Sequence, residues 1–211
     1  MKLLIVQPKL EPRTDRLELE LNRRPDADMA IFPEGYLNQN VEEARRLARS
    51  SDTILATGHR RTDEKPKDRA IVIDRSGDIV LERAKYGAPE IAIAGGRRIG
   101  FVLCDELVLR GLGGAEEAGV DLIVHPIGVG MFSDEQFDEW IRAARRLAAA
   151  CRATIVGTSH ADGAYRDSPV SIPIAYCIDS SGEPLFIAKD DVRTRIVDLE
   201  AKTVVVVEPS Q

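Results

Sequence analysis

The stretch RRIGFVLCDEL, residues 97–107, carries an apolar run that stops at Cys104 and passes at once into two carboxylates, Asp105 and Glu106. A cysteine that only packs should have apolar neighbours. A cysteine that acts as a nucleophile should not have two negative charges beside it, because they hold its proton on and raise its pKa. Either Cys104 is inert, or the rest of the chain brings a base and a positive charge to this point. The run reads as a buried strand over 98–104, with the thiol at its carboxyl end, where open α/β layers bind their ligands.

Two other reactive side chains follow buried runs in the same way. Glu34 follows AIFP, and Lys85 follows IVLERA. A carboxylate is able to take the thiol proton, and a lysine to stabilise a thiolate and then an oxyanion. A helix expected over 106–118 would add the positive end of its dipole at Cys104. If the side chains of Asp105 and Glu106 point away from the sulfur, Lys85 and the helix start outweigh them.

Strands and helices interleave along the chain. Strands are predicted over 2–6, 28–32, 53–57, 69–74, 79–82, 98–104, 122–125, 154–158, 174–178, 184–187, 193–198 and 203–207. Helices are predicted over 13–24, ending before Pro25, over 41–49, over 106–118, where glycines break it, and over 133–151. The last begins with Ser133 and Gln136 as a capping box. The words RSG (75–77) and DSSGE (179–183) mark hairpin turns. Alternation favours helices covering sheet faces. Hairpins make the sheets mixed, and about a dozen strands are too many for one doubly wound sheet. The expectation is two packed sheets with helices outside, in one domain over 1–211.

Composition narrows the function classes. The 211 residues are 44% hydrophobic and 30% charged, as in ordinary soluble globular proteins. The net charge is −6, and the arginines sit among acids in VEEARRLARS and DEWIRAARRL, as on solvated helix faces. No nucleic-acid partner is expected. No run is long enough to span a membrane, and MKLLIV reads as a first strand and not as a signal peptide. Cys104, Cys151 and Cys177 make no disulfide framework, the latter two reading as core. His59, His125 and His160 lack metal-ligand spacing. A cytoplasmic protein with free thiols, no metal and no cofactor is expected.

Six segments, in order, resemble the motifs of the carbon–nitrogen hydrolase family, the nitrilase superfamily. AIFPEGYL resembles its hydrophobic-hydrophobic-Pro-Glu signature. AIVIDRSGDIVLERAKYGAPE resembles its hairpin and lysine motif, and RRIGFVLCDEL its nucleophile elbow. AEEAGVDLIVHP, DEWIRAARRLAAACRATIVGTSHADG and AYCIDSSGEPLFIAKDD with RTRIVDLE resemble its later strand, its helix-strand unit and its closing strands.

The resemblance implies a four-layer α-β-β-α sandwich with two mixed β-sheets. It implies a triad with Glu34 as general base, Lys85 as electrostatic partner and Cys104 as nucleophile, and with the backbone N–H of Asp105 as an oxyanion donor. The family carries a second glutamate between its lysine and cysteine. Here 19 positions separate Lys85 from Cys104, and Glu90 is the candidate second acid. In the loop PIGVGMF, Met131 and Phe132 are candidate pocket residues. The implied activity is hydrolysis of a small amide through a thioester, by a homodimer for which the outer helix over 139–151 is a candidate surface and equally a candidate intrachain helix face. A nitrile hydrolase or acyltransferase with the same triad, or a non-catalytic binding or scaffold protein with the same fold, are the alternatives.

Overall fold

The computed structural model describes residues 1–24 and 26–207. Along β1 (Lys2–Ile5) and β2 (Met29–Ile31), Leu3, Ile5, Met29 and Ile31 fall in one buried cluster, and Leu4, Val6, Ala30 and Phe32 in another. Strand side chains alternate in direction, so strands buried on both faces must lie between two other layers. The same alternation runs through β7 (Arg97–Phe101), β8 (Leu122–Ile127), β9 (Thr154–Ser159) and β10 (Ile174–Ile178). Phe101, Val124, Val156 and Cys177 join the first cluster, while Val102, Ile123, Ile155 and Tyr176 join a third.

The remaining strands are β3 (Ile54–Arg60), β4 (Asp68–Ile73), β5 (Ile79–Ala84), β6 (Ile91–Ala94), β11 (Pro184–Lys189), β12 (Thr194–Asp198) and β13 (Thr203–Val207). Among the described residues they form a seven-stranded sheet, β13-β12-β1-β2-β3-β4-β5, and a six-stranded sheet, β11-β10-β9-β8-β7-β6. Parallel pairs run through β1-β2-β3 and β7-β8-β9; the other pairs are antiparallel. The first cluster fills the space between the sheets. Helices α1 (Asp15–Arg23) and α2 (Val41–Ser50) cover the outside of the larger sheet, and α3 (Glu106–Leu109) and α4 (Asp134–Cys151) the outside of the smaller. This is the α-β-β-α sandwich expected from the sequence.

The hairpin turns after β4 and β10 share one chemistry. The Asp74 carboxylate accepts from the Ser76 and Asp78 N–H groups, and the Asp179 carboxylate from those of Ser181 and Glu183. Gly77 and Gly182 supply the left-handed residue of each turn, at φ 82° and 85°. Each turn then docks on a helix, with Arg45 Nε donating to the Gly77 carbonyl and Arg145 Nε to that of Gly182, both at 2.8 Å. Each sheet thus has a hairpin pinned to its own outer helix.

Three local expectations are corrected. The helix over 106–118, expected to be broken by its glycines, keeps only Glu106–Leu109, because Gly111, Gly113 and Gly114 all take positive φ. A 3-10 turn at Glu116–Ala118 follows. The strand β6 was not foreseen; it pairs with β7 through the tight turn at Gly95 and Gly96. The Ser133 hydroxyl caps α4 by accepting from the Gln136 N–H, but the Gln136 side chain accepts from Phe132 N–H, so the box is not reciprocal. Pro25, expected to end the first helix, lies outside the described residues.

Candidate active site

Three strand ends from two sheets meet at one end of the sandwich. Glu34 follows β2 in a turn whose Gly35 has φ 73°, and its side chain is buried. Lys85 follows β5 directly, its N–H still bonded to the Asp68 carbonyl, and the chain then turns sharply at Tyr86. Cys104 lies beyond β7, where its N–H donates to the Pro126 carbonyl and continues the ladder with β8. Its φ of 51° is left-handed, a conformation that costs a non-glycine residue roughly 1–2 kcal/mol. The turn lifts the thiol out of the sheet and into a cavity.

That cavity has a volume of about 600 Å³ and is lined by Glu34, Lys85, Cys104 and Asp105, with Met131, Phe132, Trp140 and Tyr165 as apolar wall. Lys85 Nζ lies 3.0 Å from Glu34 Oε1 and 3.0 Å from Asp105 Oδ1. Asp105 Oδ2 accepts from the Tyr86 hydroxyl at 2.7 Å. A larger groove, about 750 Å³, is lined by Glu11, Asn38, Arg60 and His160. None of Glu34, Lys85 and Cys104 lines it; the three meet only at the smaller cavity.

The electrostatics follow from burial. Desolvation raises the Glu34 pKa above its usual value, against the pull of Lys85. Burial works to lower the Lys85 ammonium, but the charges of Cys104 and Glu34 and the hydrogen bonds of Asp105 and Glu34 outweigh it and raise its pKa. The Cys104 thiol is pushed well up, first by burial and then by the Glu34 charge, against Lys85 and the Gly128 N–H. This corrects the expectation of a thiol whose proton is loosened by Lys85 and a helix start. The helix has only four residues, and the sulfur is deeply buried beside a carboxylate.

The two acids after Cys104 have different fates. Glu106 turns away from the cavity and pairs with the buried Arg83, Oε2 to Nη2 at 2.6 Å. Asp105, expected to point away, instead bridges Lys85 and Tyr86. Glu90, expected as a second acid, is exposed on the loop before β6 and does not line the cavity. Asp105 is the second carboxylate at Lys85. Several contributors went unread in the sequence. Gly128 lies so close to Glu34 that a Cβ there would fall 2.6 Å from Oε2. Gln136 and Tyr165 reach the cavity from α4 and a distant loop, and so does Trp140, whose helical spacing from Phe137 and Ala144 reads as core or interface. Only the Gly-x-Gly of PIGVGMF hinted at a close approach.

Comparison with known proteins agrees with this architecture. No protein-family model matches the sequence, and no curated protein sequence does. The fold is that of the carbon–nitrogen hydrolases of the nitrilase superfamily. A carbon–nitrogen hydrolase from Helicobacter pylori G27 superposes with a TM-score of 0.71 at 17% identity, over 96% of this chain and 90% of that one. An amidase from Nesterenkonia sp. superposes with a TM-score of 0.76 at 17% identity, over 94% and 90%. A variant of the Nesterenkonia sp. AN1 amidase in complex with butyramide gives a TM-score of 0.76 at 16% identity, over 96% and 92%. Another variant of that amidase carries the acetamide moiety of fluoroacetamide on its active site cysteine. Among the described residues of the present chain, no helix is long and apolar enough to cross a membrane.

Proposed function

We propose that the protein hydrolyses a non-peptide C–N bond of a small amide, releasing a carboxylic acid and ammonia or an amine, through Glu34, Lys85 and Cys104. The observation that carries this reading is the meeting of these three side chains, remote in sequence, around one cavity, with Lys85 Nζ 3.0 Å from the Glu34 carboxylate. A scaffold protein would have no reason to hold a thiol, an acid and an amine together in a strained turn.

The pKa directions support these roles. The Cys104 thiol rests protonated, so it needs a base at the moment of attack. Glu34, with its pKa raised by burial, is a stronger base than an exposed glutamate. As sulfur adds to the amide carbon, its proton passes to Glu34. The developing oxyanion is held by Lys85 and the Asp105 backbone N–H. Glu34 then protonates the departing nitrogen, which leaves a thioester on Cys104. Glu34 next takes a proton from water as the water oxygen adds to the thioester. Collapse of that adduct frees the acid, and Glu34 returns its proton to sulfur. Asp105 and Tyr86 keep the Lys85 ammonium aimed at the cavity.

The same reading includes a homodimer through the outer face of α4, beside the exposed Val108 and Leu109 of α3, and a cytoplasmic location that keeps the three thiols free. The test is a panel of short aliphatic and aromatic amides with ammonia detection, run beside Cys104→Ala, together with mass spectrometry for an acyl adduct on Cys104. The expected result is ammonia release that needs Cys104, and a trapped thioester. Folded protein that yields neither would rule the reading out.

A further inference from the structure

Beneath the cysteine turn lies a buried side chain that the reaction scheme leaves idle. His125, on β8, is fully buried and stacks on Trp140 of α4 with ring centroids 5.6 Å apart. Its Nε2 is 2.8 Å from the Cys104 carbonyl oxygen, and its Nδ1 is hydrogen-bonded to the Tyr176 hydroxyl. A carbonyl only accepts, so Nε2 carries the proton and donates it. Nδ1 then holds a lone pair, and the Tyr176 O–H donates to it. Burial pushes the His125 pKa down to about 4, which keeps the ring neutral. Tyr176 fits against the sheet only because position 157 on β9 is glycine, where a Cβ would fall 2.5 Å from the phenol ring. Three neighbouring strands therefore cooperate to place one N–H donor under Cys104.

The peptide between Cys104 and Asp105 gives that donor its consequence. In a trans peptide the C=O and N–H point in opposite directions across one rigid plane. Holding the Cys104 carbonyl on one side therefore fixes where the Asp105 N–H points on the other. The Leu107 N–H also reaches this carbonyl, at 3.2 Å, and His125 adds the second, side-chain grip. A hydrogen bond accepted at the carbonyl also polarises the peptide and strengthens its N–H as a donor. We propose that His125 is a positioning residue of the oxyanion site: it grips the Cys104 carbonyl from beneath and so aims the Asp105 N–H into the cavity. This rests on the reading of Cys104 as nucleophile and of that N–H as oxyanion donor.

The test compares His125→Phe, which keeps a ring and loses the donor, with His125→Gln, whose amide nitrogen reaches the Nε2 position. His125→Phe should lower kcat for amide hydrolysis by about 100-fold, the scale of a lost oxyanion donor, with KM within about threefold. Alkylation of Cys104 by iodoacetamide builds no oxyanion, so its rate should stay within about threefold. His125→Gln should recover about tenfold or more of the lost kcat. A folded His125→Phe with parental kcat overturns the proposal. So does alkylation that falls in step with kcat, which would mean a collapsed turn, or a His125→Gln no better than His125→Phe. If His125→Phe does not fold, Tyr176→Phe decides: about tenfold lower kcat at unchanged KM supports the proposal, and parental kcat overturns it. If the wild type hydrolyses no amide, the functional reading has failed on its own. The crystal structure of a folded variant, His125→Phe or else Tyr176→Phe, then judges the inference, with a reoriented Cys104–Asp105 peptide in favour and an unchanged one against.

Discussion

Arg83 and Glu106 form a buried two-pronged ion pair between the sheets, Nη1 to Oε1 at 2.8 Å and Nη2 to Oε2 at 2.6 Å. The same carboxylate accepts from the Tyr86 N–H at 2.6 Å and the Leu103 N–H at 2.7 Å. It therefore ties the residue after Lys85 to the residue before Cys104. Arg83 also donates to the Phe101 carbonyl at the end of β7. The pair acts as the fastener that holds the lysine strand of one sheet against the cysteine strand of the other.

Breaking that fastener from one side should be costly. Arg83→Met leaves a buried carboxylate without its cation, a change worth about 3–5 kcal/mol. In a chain of this size that is a fall in Tm of about 6–20 °C. Thermal unfolding followed by circular dichroism measures it. A shift under about 2 °C would show that the pair contributes little.

The pair also sets an acid limit to stability. Burial pushes the Glu106 pKa up, but Arg83 and the Leu103 and Tyr86 N–H groups pull it further down, and the net shift is downward. A carboxylate lowered in the folded state adds stability that is complete above the unfolded value of about 4.3 and fades as pH falls through the folded value. Urea unfolding between pH 7 and pH 3 should show that fall, and Glu106→Gln should flatten it while lowering stability at pH 7. An unchanged slope in the variant would remove Glu106 as its source.

Lys85→Ala should abolish turnover and leave the fold. The ammonium stands between Glu34 and Asp105, and an oxyanion donor of this kind is worth roughly 10²–10³ in kcat. Its loss also leaves two carboxylates facing each other, which raises Glu34 further. Steady-state kinetics on the folded variant give the answer, and near-parental kcat would end the triad.

Gly128→Ala tests the placing of the base. The added Cβ would fall 2.6 Å from Glu34 Oε2, and the carboxylate, as the free end of its side chain, is what moves. Misplacing a reacting group by about 1 Å costs on the order of 100-fold in rate. A drop of that size with a Tm within a few degrees of the parent is expected. Full activity would show that Glu34 has latitude at this position.

The pH profile should carry the signature of a buried base. Glu34 must be ionised to take the thiol proton, and its pKa is raised. The acid limb of kcat/KM should therefore have its midpoint above the ordinary glutamate value of about 4.3. Alkylation of Cys104, whose own pKa is raised, should quicken with pH beyond the ordinary thiol value of about 8.5. An acid limb at or below pH 4, or alkylation that levels off below pH 8, would contradict these assignments.

Much of the molecule was legible in the chain because the physics behind it is local. Short apolar runs made β1, β2, β7 and β10 readable, since a strand covered on both faces is apolar on both and needs no distant information to be recognised. The Asp-x-Ser-Gly turns at 74–77 and 179–182 were readable because the aspartate bonds to backbone two to four residues away. Glu34, Lys85 and Cys104 stood out because each follows a buried run. What the chain could not announce depends on residues far apart coming close. Asp105 faces Lys85, Glu106 faces Arg83, and His125 reaches the Cys104 carbonyl only once two sheets are packed and β7 to β10 lie side by side. The thiol pKa was misjudged for the same reason. Charge order along the chain suggests one environment for a sulfur, but burial and through-space distance decide it, and both are fixed only when the sandwich closes.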